Sequence, residues 1–165
     1  LTNLTMAKAA WGKPVIKIGA VDATGKTIPT TGLQTLASVK ENSTKFESAE
    51  GEKKELKGEG GVTLDVRRSA PSYTLELEVF ILKGEALPKL LKGDAASIVI
   101  TPEDPDTAGL YIPMANISVS PSWSTEEGAA YKVKADAVLA KDTADVKAFY
   151  FTKSGAILDP FTGTN

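Results

Sequence analysis

Glu76 and Glu78 stand two positions apart in the run Tyr73-Thr74-Leu75-Glu76-Leu77-Glu78-Val79-Phe80-Ile81-Leu82. On an extended strand, residues i and i+2 share a face about 7 Å apart. Two carboxylates at that separation can divide acid and base work in glycosidic hydrolysis. A polar sheet face with cross-strand Lys or Arg partners accounts for the pair equally well. Glu103, Asp104 and Asp106 gather three carboxylates around Pro105. Such oxygens suit Ca²⁺, but the regular alternation of a calcium loop is missing, and a solvated turn is the simpler reading. Lys57-Gly58-Glu59-Gly60-Gly61 resembles a phosphate-binding loop in its glycines alone. No Gly-Lys-Ser/Thr element completes it, and a strand follows where the motif needs a helix N-terminus. Trp11, Trp123, Tyr111 and Tyr131 could form a glycan or partner platform, although aromatics at strand ends more often pack a core or its rim. The Arg67-Arg68 pair beside a turn is equally ambiguous.

The rest of the chemical inventory is short. The chain has no His and no Cys, so it lacks an imidazole base, a Ser-His-Asp triad, a thiol nucleophile and the usual zinc ligands. No catalytic, metal or cofactor site is expected. Its 165 residues are 42% hydrophobic and 24% charged, with a formal net charge of -2. That is enough chain to bury a core, and a mildly acidic balance is a poor match for duplex nucleic acid. No apolar run approaches the roughly 20 residues of a membrane helix, and no membrane partner is expected. The first residues lack a basic region followed by an apolar one, so they do not read as a secretory signal, and earlier removal of one stays open. Three Asn-x-Ser/Thr triplets, at Asn3, Asn42 and Asn116, are short enough to arise by chance.

The elements that would position these residues are nearly all strands. Val15 to Ile18 reads as a short strand ending near Gly19, and Leu33 to Val39 as a second with poor alternation. Asp22 to Gly25 and Thr30 to Gly32 are turn signals. Val62, Leu64 and Val66 alternate with polar residues. After Ser69-Ala70-Pro71-Ser72, so do Tyr73, Leu75, Leu77, Val79 and Ile81. These two runs are expected to pair as a hairpin. Phe80 and Leu82 turn the second face apolar, which predicts that this end of the strand is covered on both sides. Glu85 to Gly93 is a helix candidate of about two turns, with Pro88 in its first turn and Gly93 as its cap. Further strands are expected at Ser97–Thr101, at Leu110–Ser120 with an edge or bulge at Pro113, at Tyr131–Leu139, and at Val146–Phe151. About eight or nine strands and one short helix predict a single all-β domain over 1–165, a β-sandwich or partly closed barrel.

The densest charge lies between Lys40 and Arg68, with 7 acidic and 7 basic residues in 29 positions. Its central part holds only Phe46, Ala49 and Leu56 as apolar residues. Alone it buries little, so it is expected either to stay mobile or to order on a neighbouring chain whose sheet satisfies its backbone. The Gly58–Gly61 stretch reads as a hinge at its base. The candidate interface residues are Lys45, Phe46, Glu47, Glu50, Glu52, Lys53, Lys54, Glu55, Lys57 and Glu59.

The segment TKFESAEGEKKELKGEGG, the strand pair VTLDVRRSAPSYTLELEVF and the flanking EALPKLLKG resemble the major tail tube proteins of long-tailed phages and contractile injection systems. The likeness covers roughly residues 40 to 93. It implies a non-enzymatic β-sandwich or barrel that self-associates into six-membered rings, stacked as a hollow tube. The arm at about 41–61 would contact adjacent subunits and rings. It also implies a virion tail protein, phage or prophage encoded and assembled in the host cytoplasm. Other tail proteins would be partners, and DNA would pass through the lumen without specific binding. The alternatives are a secreted or surface β-sandwich that binds a glycan or protein, and a carboxylate hydrolase built on Glu76 and Glu78.

Overall fold

Val15, Ile16 and Ile18 are β-branched, and β-branched side chains pack well on a pleated surface. They open the first of the ten strands found among the described residues. The computed structural model describes residues 12–22, 27–93, 95–138, 148–152 and 155–158. Its strands are β1 (Val15–Gly19), β2 (Gln34–Thr35), β3 (Lys45–Ala49), β4 (Lys53–Lys57), β5 (Thr63–Arg68), β6 (Ser72–Phe80), β7 (Ala95–Thr101), β8 (Gly109–Ser124), β9 (Gly128–Ala137) and β10 (Phe149–Phe151). The fold is all-β. Eight strands form one antiparallel sheet in the order β2-β1-β7-β8-β9-β6-β3, with β10 on β8, and β4 and β5 form a separate pair. The Leu139 end of the expected Tyr131–Leu139 strand, Val146 and the Asp22–Gly25 turn signal fall wholly or partly outside the described residues.

Residues 34–40 join the two ends of this sheet. Thr35 pairs with Lys17 of β1, and the Leu36 amide donates to the Ile16 carbonyl. Four residues on, Val39 bridges Val79 of β6, and the Lys40 amide donates to the Glu78 carbonyl. One short segment thus laces β1 to β6, which curls the sheet into a partly closed barrel. Alternating residues of β1, β6, β7, β8 and β9 point inward. Ile16, Ile18, Leu36, Leu75, Leu77, Val79, Ile98, Ile112, Val133 and Ala135 make one buried core. A smaller apolar cluster of Val99, Tyr111 and Phe151 lies on the opposite face.

The expected interruption at Pro113 is a bulge. Ala96 pairs with Ala115 and Ile98 with Ile112, so β8 carries one residue more than β7 over this stretch. Pro113 has no amide to donate, and a bulge is where that costs least. The extra residue also switches parity, so Ile112 and Ala115 both face the core although they lie three apart.

The helix expected over 85–93 is absent. Proline disfavours the helical region for the residue before it, and Pro88 itself is extended at ψ 136°. Only Lys89–Lys92 remain, a single 3-10 turn whose Leu91 is buried. One turn does not recover the cost of helix nucleation, so packing of Leu91 holds it in place. Leu87 and Leu90 pack on the core beside it.

Candidate functional site: a projecting hairpin

β3 and β4 run along one side of a long two-stranded ribbon, and β5 and β6 along the other. Lys45 to Ala49 pair with Glu76 to Ser72, and Lys53 to Lys57 pair with Arg68 to Thr63. The expected pairing of Val62–Val66 with Tyr73–Ile81 is therefore wrong. Those runs follow one another on the same side of the ribbon, because Ser69-Ala70-Pro71 is a joint and not a reversing turn. At the joint the Ser69 amide donates to the Glu52 carbonyl at 3.0 Å. The reversal lies instead at Gly58–Gly61, with Gly60 and Gly61 both at φ 79°, a left-handed conformation that glycine adopts without strain. The glycines form the tip of the arm, not its base.

The two halves of the ribbon differ in burial. In the inner half Phe46 stacks on Tyr73, with ring centroids 5.9 Å apart and planes 8° from parallel. Both rings pack against the core. Phe46, Lys45 and Glu47 thus belong to the sheet, and the arm is shorter than the expected 41–61 at its start. In the outer half every residue of β4 and β5 is exposed. Leu56, Val62, Leu64 and Val66 are 62%, 61%, 65% and 48% exposed. Leu56 lies opposite Asp65 and Val66 opposite Glu55, so adjacent strand positions place them on opposite faces. The hairpin shows apolar side chains on both sides, and neither strand joins the main sheet. A lone pair of strands is marginal in water.

Most of its charges are paired locally. Lys53 pairs with Glu55 at 2.8 Å, Lys57 with Glu55 at 3.7 Å, Arg67 with Asp65 at 2.9 Å and Arg68 with Glu50 at 3.0 Å. In the inner half Lys45 pairs with Glu47 at 2.7 Å. Exposed pairs of this kind contribute little to stability. The five-residue and six-residue outer strands carry Lys53, Lys54, Lys57, Arg67 and Arg68 against Glu55 and Asp65. With Glu59 at the tip the hairpin holds five cations to three anions, so the electrically neutral stretch splits in space into a mildly basic hairpin and a mildly acidic root.

The other candidates disperse. Glu76 and Glu78 sit on the outer face of β6 opposite Lys134 and Lys132. Glu78 contacts Lys40 at 3.3 Å and Lys132 at 3.9 Å. They border an open hollow of about 520 Å³ whose floor is a polar sheet face, with Ser118, Ser120, Lys132 and Lys134. Lys40 also binds Glu127 at 2.8 Å, and hydrogen bonding to Glu127 raises its pKa. Cross-strand ion pairs account for Glu78, and Glu76 lies in register between Lys134 and Lys45. In the 102–106 turn the Asp104 carboxylate accepts from the Asp106 amide, and Glu103 accepts from the Lys13 amide. No group of three His, Cys, Asp or Glu side chains that could hold a metal occurs among the described residues. Nor is any helix there long and apolar enough to cross a membrane.

The aromatic platform does not form. Tyr111 is fully buried and donates its hydroxyl to Asp22 Oδ2 at 2.6 Å. Burial first, and that bond second, raise its pKa well above the usual tyrosine range. Tyr131 packs on the core, and Trp11 lies outside the described residues. Trp123 is 72% exposed at the end of β8. Beside it, the end of β6 is open where double cover was expected, with Ile81 44% and Leu82 50% exposed. Among the described residues, β8 beyond Asn116 keeps a strand partner on one edge only, β9. β3 likewise pairs on one edge only, with β6.

No family model matches the chain, and no curated protein does. Among solved structures it is similar to the tail of an empty GTA particle with C6 symmetry, at 16% identity and a TM-score of 0.46, covering 75% of this chain and 90% of that one. It is also similar to the SPP1 tail tube, at 14% identity and a TM-score of 0.44, covering 74% of this chain and 72% of that one.

Proposed function

We propose that the chain is a non-enzymatic building block of a phage or phage-like tail tube. It self-associates into stacked rings through its open sheet edges and the β4–β5 hairpin. The observation that carries this reading is the hairpin itself. A hairpin with four exposed apolar side chains, and no other strand beside it among the described residues, is a poor free-standing structure. A neighbouring subunit would cover the apolar groups and meet the charged ones. Glu50, Glu52, Lys53, Lys54, Glu55, Lys57 and Glu59 would form the interface of the arm, with Lys45, Phe46 and Glu47 on the edge strand at its root. The resemblance in the 40–93 segment points the same way, and it extends the reading to six-membered rings, a virion tail assembled in the host cytoplasm, and DNA sliding through the lumen.

The purified chain should form rings or tubes as its concentration rises, seen by negative-stain microscopy and light scattering. Compact monomers at every concentration would overturn the proposal.

A further inference from the structure

Ile81, Ala129 and Trp123 form a row across three adjacent strands. The Ile81 amide donates to the Ala129 carbonyl at 3.0 Å, and Ala129 lies directly opposite Trp123. By alternation this row shares the inner face with Val79, Tyr131 and Val119, which pack in or against the core. The core face therefore runs on past the buried residues and ends in an uncovered apolar step. Ile81 and Trp123 are its exposed members, whereas Leu82, also exposed, alternates to the other face. Single exposed hydrophobes are ordinary, but an exposed Ile and Trp in one row at the end of a sheet form a patch.

The position of the patch limits what can cover it. The hairpin joins β6 at Ser72, whereas Ile81 follows the far end of the same strand. Nine residues of strand separate them, about 30 Å. The hairpin leaves from one end of the barrel and the patch opens at the other, so a chain cannot seat its own hairpin there. The hairpin of a second copy has the matching chemistry. On one face it offers Leu64 and Val66 to the apolar step, and between Lys53 and Arg68 it holds five cations to three anions. The turn next to Trp123 carries Glu126 and Glu127, and Lys83 and Glu85 follow Leu82 closely in the chain. Glu127 is paired with Lys40 and Glu85 with Ser38. Glu126 has no ion pair among the described residues and is available to a basic ribbon.

We infer that the β4–β5 hairpin of one copy docks on the Ile81–Ala129–Trp123 end of the next. This names the receiving surface for the assembly proposed above and rests on that reading. The contact joins two different patches, so it is heterologous and propagates head to tail, closing into a ring or extending as a filament. Trp123 is its anchor, since large aromatics carry a disproportionate share of interface energy.

Because the chain has no cysteine, the contact can be trapped by disulfides. Leu56→Cys, Leu64→Cys and Val66→Cys would each be mixed with Ile81→Cys or Trp123→Cys and mildly oxidised, with Tyr150→Cys as an exposed control. All five engineered sites other than the control lie on the two proposed surfaces and are exposed. At least one hairpin–patch pair should give a mixed disulfide dimer that the control lacks. The matching double variant should give a ladder of multimers. Trp123→Ala should raise the concentration needed for assembly by about tenfold or more. If the mixtures scatter as assemblies but no hairpin–patch pair links, the receiving surface is wrong and the assembly reading stands. Preferential hairpin–hairpin links would also refute the surface. If nothing assembles and nothing links, both fall.

Discussion

Gly51 passes so close to Ser69 that a Cβ at Gly51 would stand 1.8 Å from the Ser69 carbonyl oxygen. The two residues face each other at the joint where the buried half of the ribbon gives way to the exposed half. The bare backbone of Gly51 lets the strands stay this close, and the Ser69–Glu52 hydrogen bond follows directly. The aim of the hairpin depends on this contact.

Gly51→Ala should therefore disturb the hairpin and leave the barrel intact. The added methyl meets backbone, which cannot move aside as a side chain would. Assembly should require a higher protein concentration by light scattering, while the far-UV β signal keeps its intensity and Tm falls by only a few degrees. A large loss of Tm would show that the joint supports the core itself.

Replacing residues 52–69 with a tight two-residue turn should abolish assembly and preserve the folded monomer. The cut falls outside β3 and β6, so Phe46 keeps its stack on Tyr73. Assembly that survived this deletion would reduce the hairpin to an ordinary loop.

Core and hairpin leucines should respond differently to truncation. Leu75 is 1% exposed and Leu56 62%. Leu75→Ala should cost about 2–5 kcal/mol, from lost burial and the cavity left behind. Leu56→Ala should change monomer stability by no more than about 0.5 kcal/mol. Urea unfolding of dilute monomer measures both.

Tyr111 should make stability fall at alkaline pH. Its phenol holds its proton more tightly folded than unfolded, so below the unfolded pKa of about 10 its contribution is fully present. As pH rises above that value the unfolded chain loses the proton first, and the contribution declines. Tyr111→Phe should cost about 1–3 kcal/mol near neutrality by removing the bond to Asp22. It should also flatten the decline above pH about 10. Chemical unfolding of both proteins from pH 8 to 11 would test this, and parallel curves would contradict it.

Strand identity was legible wherever alternation met a buried face. Leu75, Leu77 and Val79 on β6, and Val133 and Ala135 on β9, announce themselves because a two-residue period with one apolar face has few other uses. Pro113 announced its bulge because a residue without an amide has few places in a sheet. The hairpin misled, because Val62, Leu64 and Val66 show the same alternation as β6 yet lie exposed. A period of two says that a strand has two faces, and not whether anything covers either of them. The helix at 85–93 misled because its leucines and lysines suit a helix, while Pro88 decides the matter locally. Trp123 was noticed only as one of several aromatics. Of its partners in the row, Ile81 lies 42 positions earlier in the chain, and Ala129, six positions later, meets it only through the β8–β9 pairing.

Composition and local pattern were enough to exclude imidazole and thiol chemistry, to predict an all-β chain and to mark the charged segment as unusual. Those properties depend on residue type and near-neighbour spacing, which the chain carries directly. Strand pairing decided the rest. It set which runs face each other, that residues 34–40 lace β1 to β6, that Gly51 and Ser69 meet, and that the hairpin and the Trp123 row lie at opposite ends of one barrel. These relations join residues tens of positions apart, through ladder hydrogen bonds that every residue can make alike. Which of the many possible registers forms is settled by how the whole core packs, and no short stretch of sequence encodes that alone.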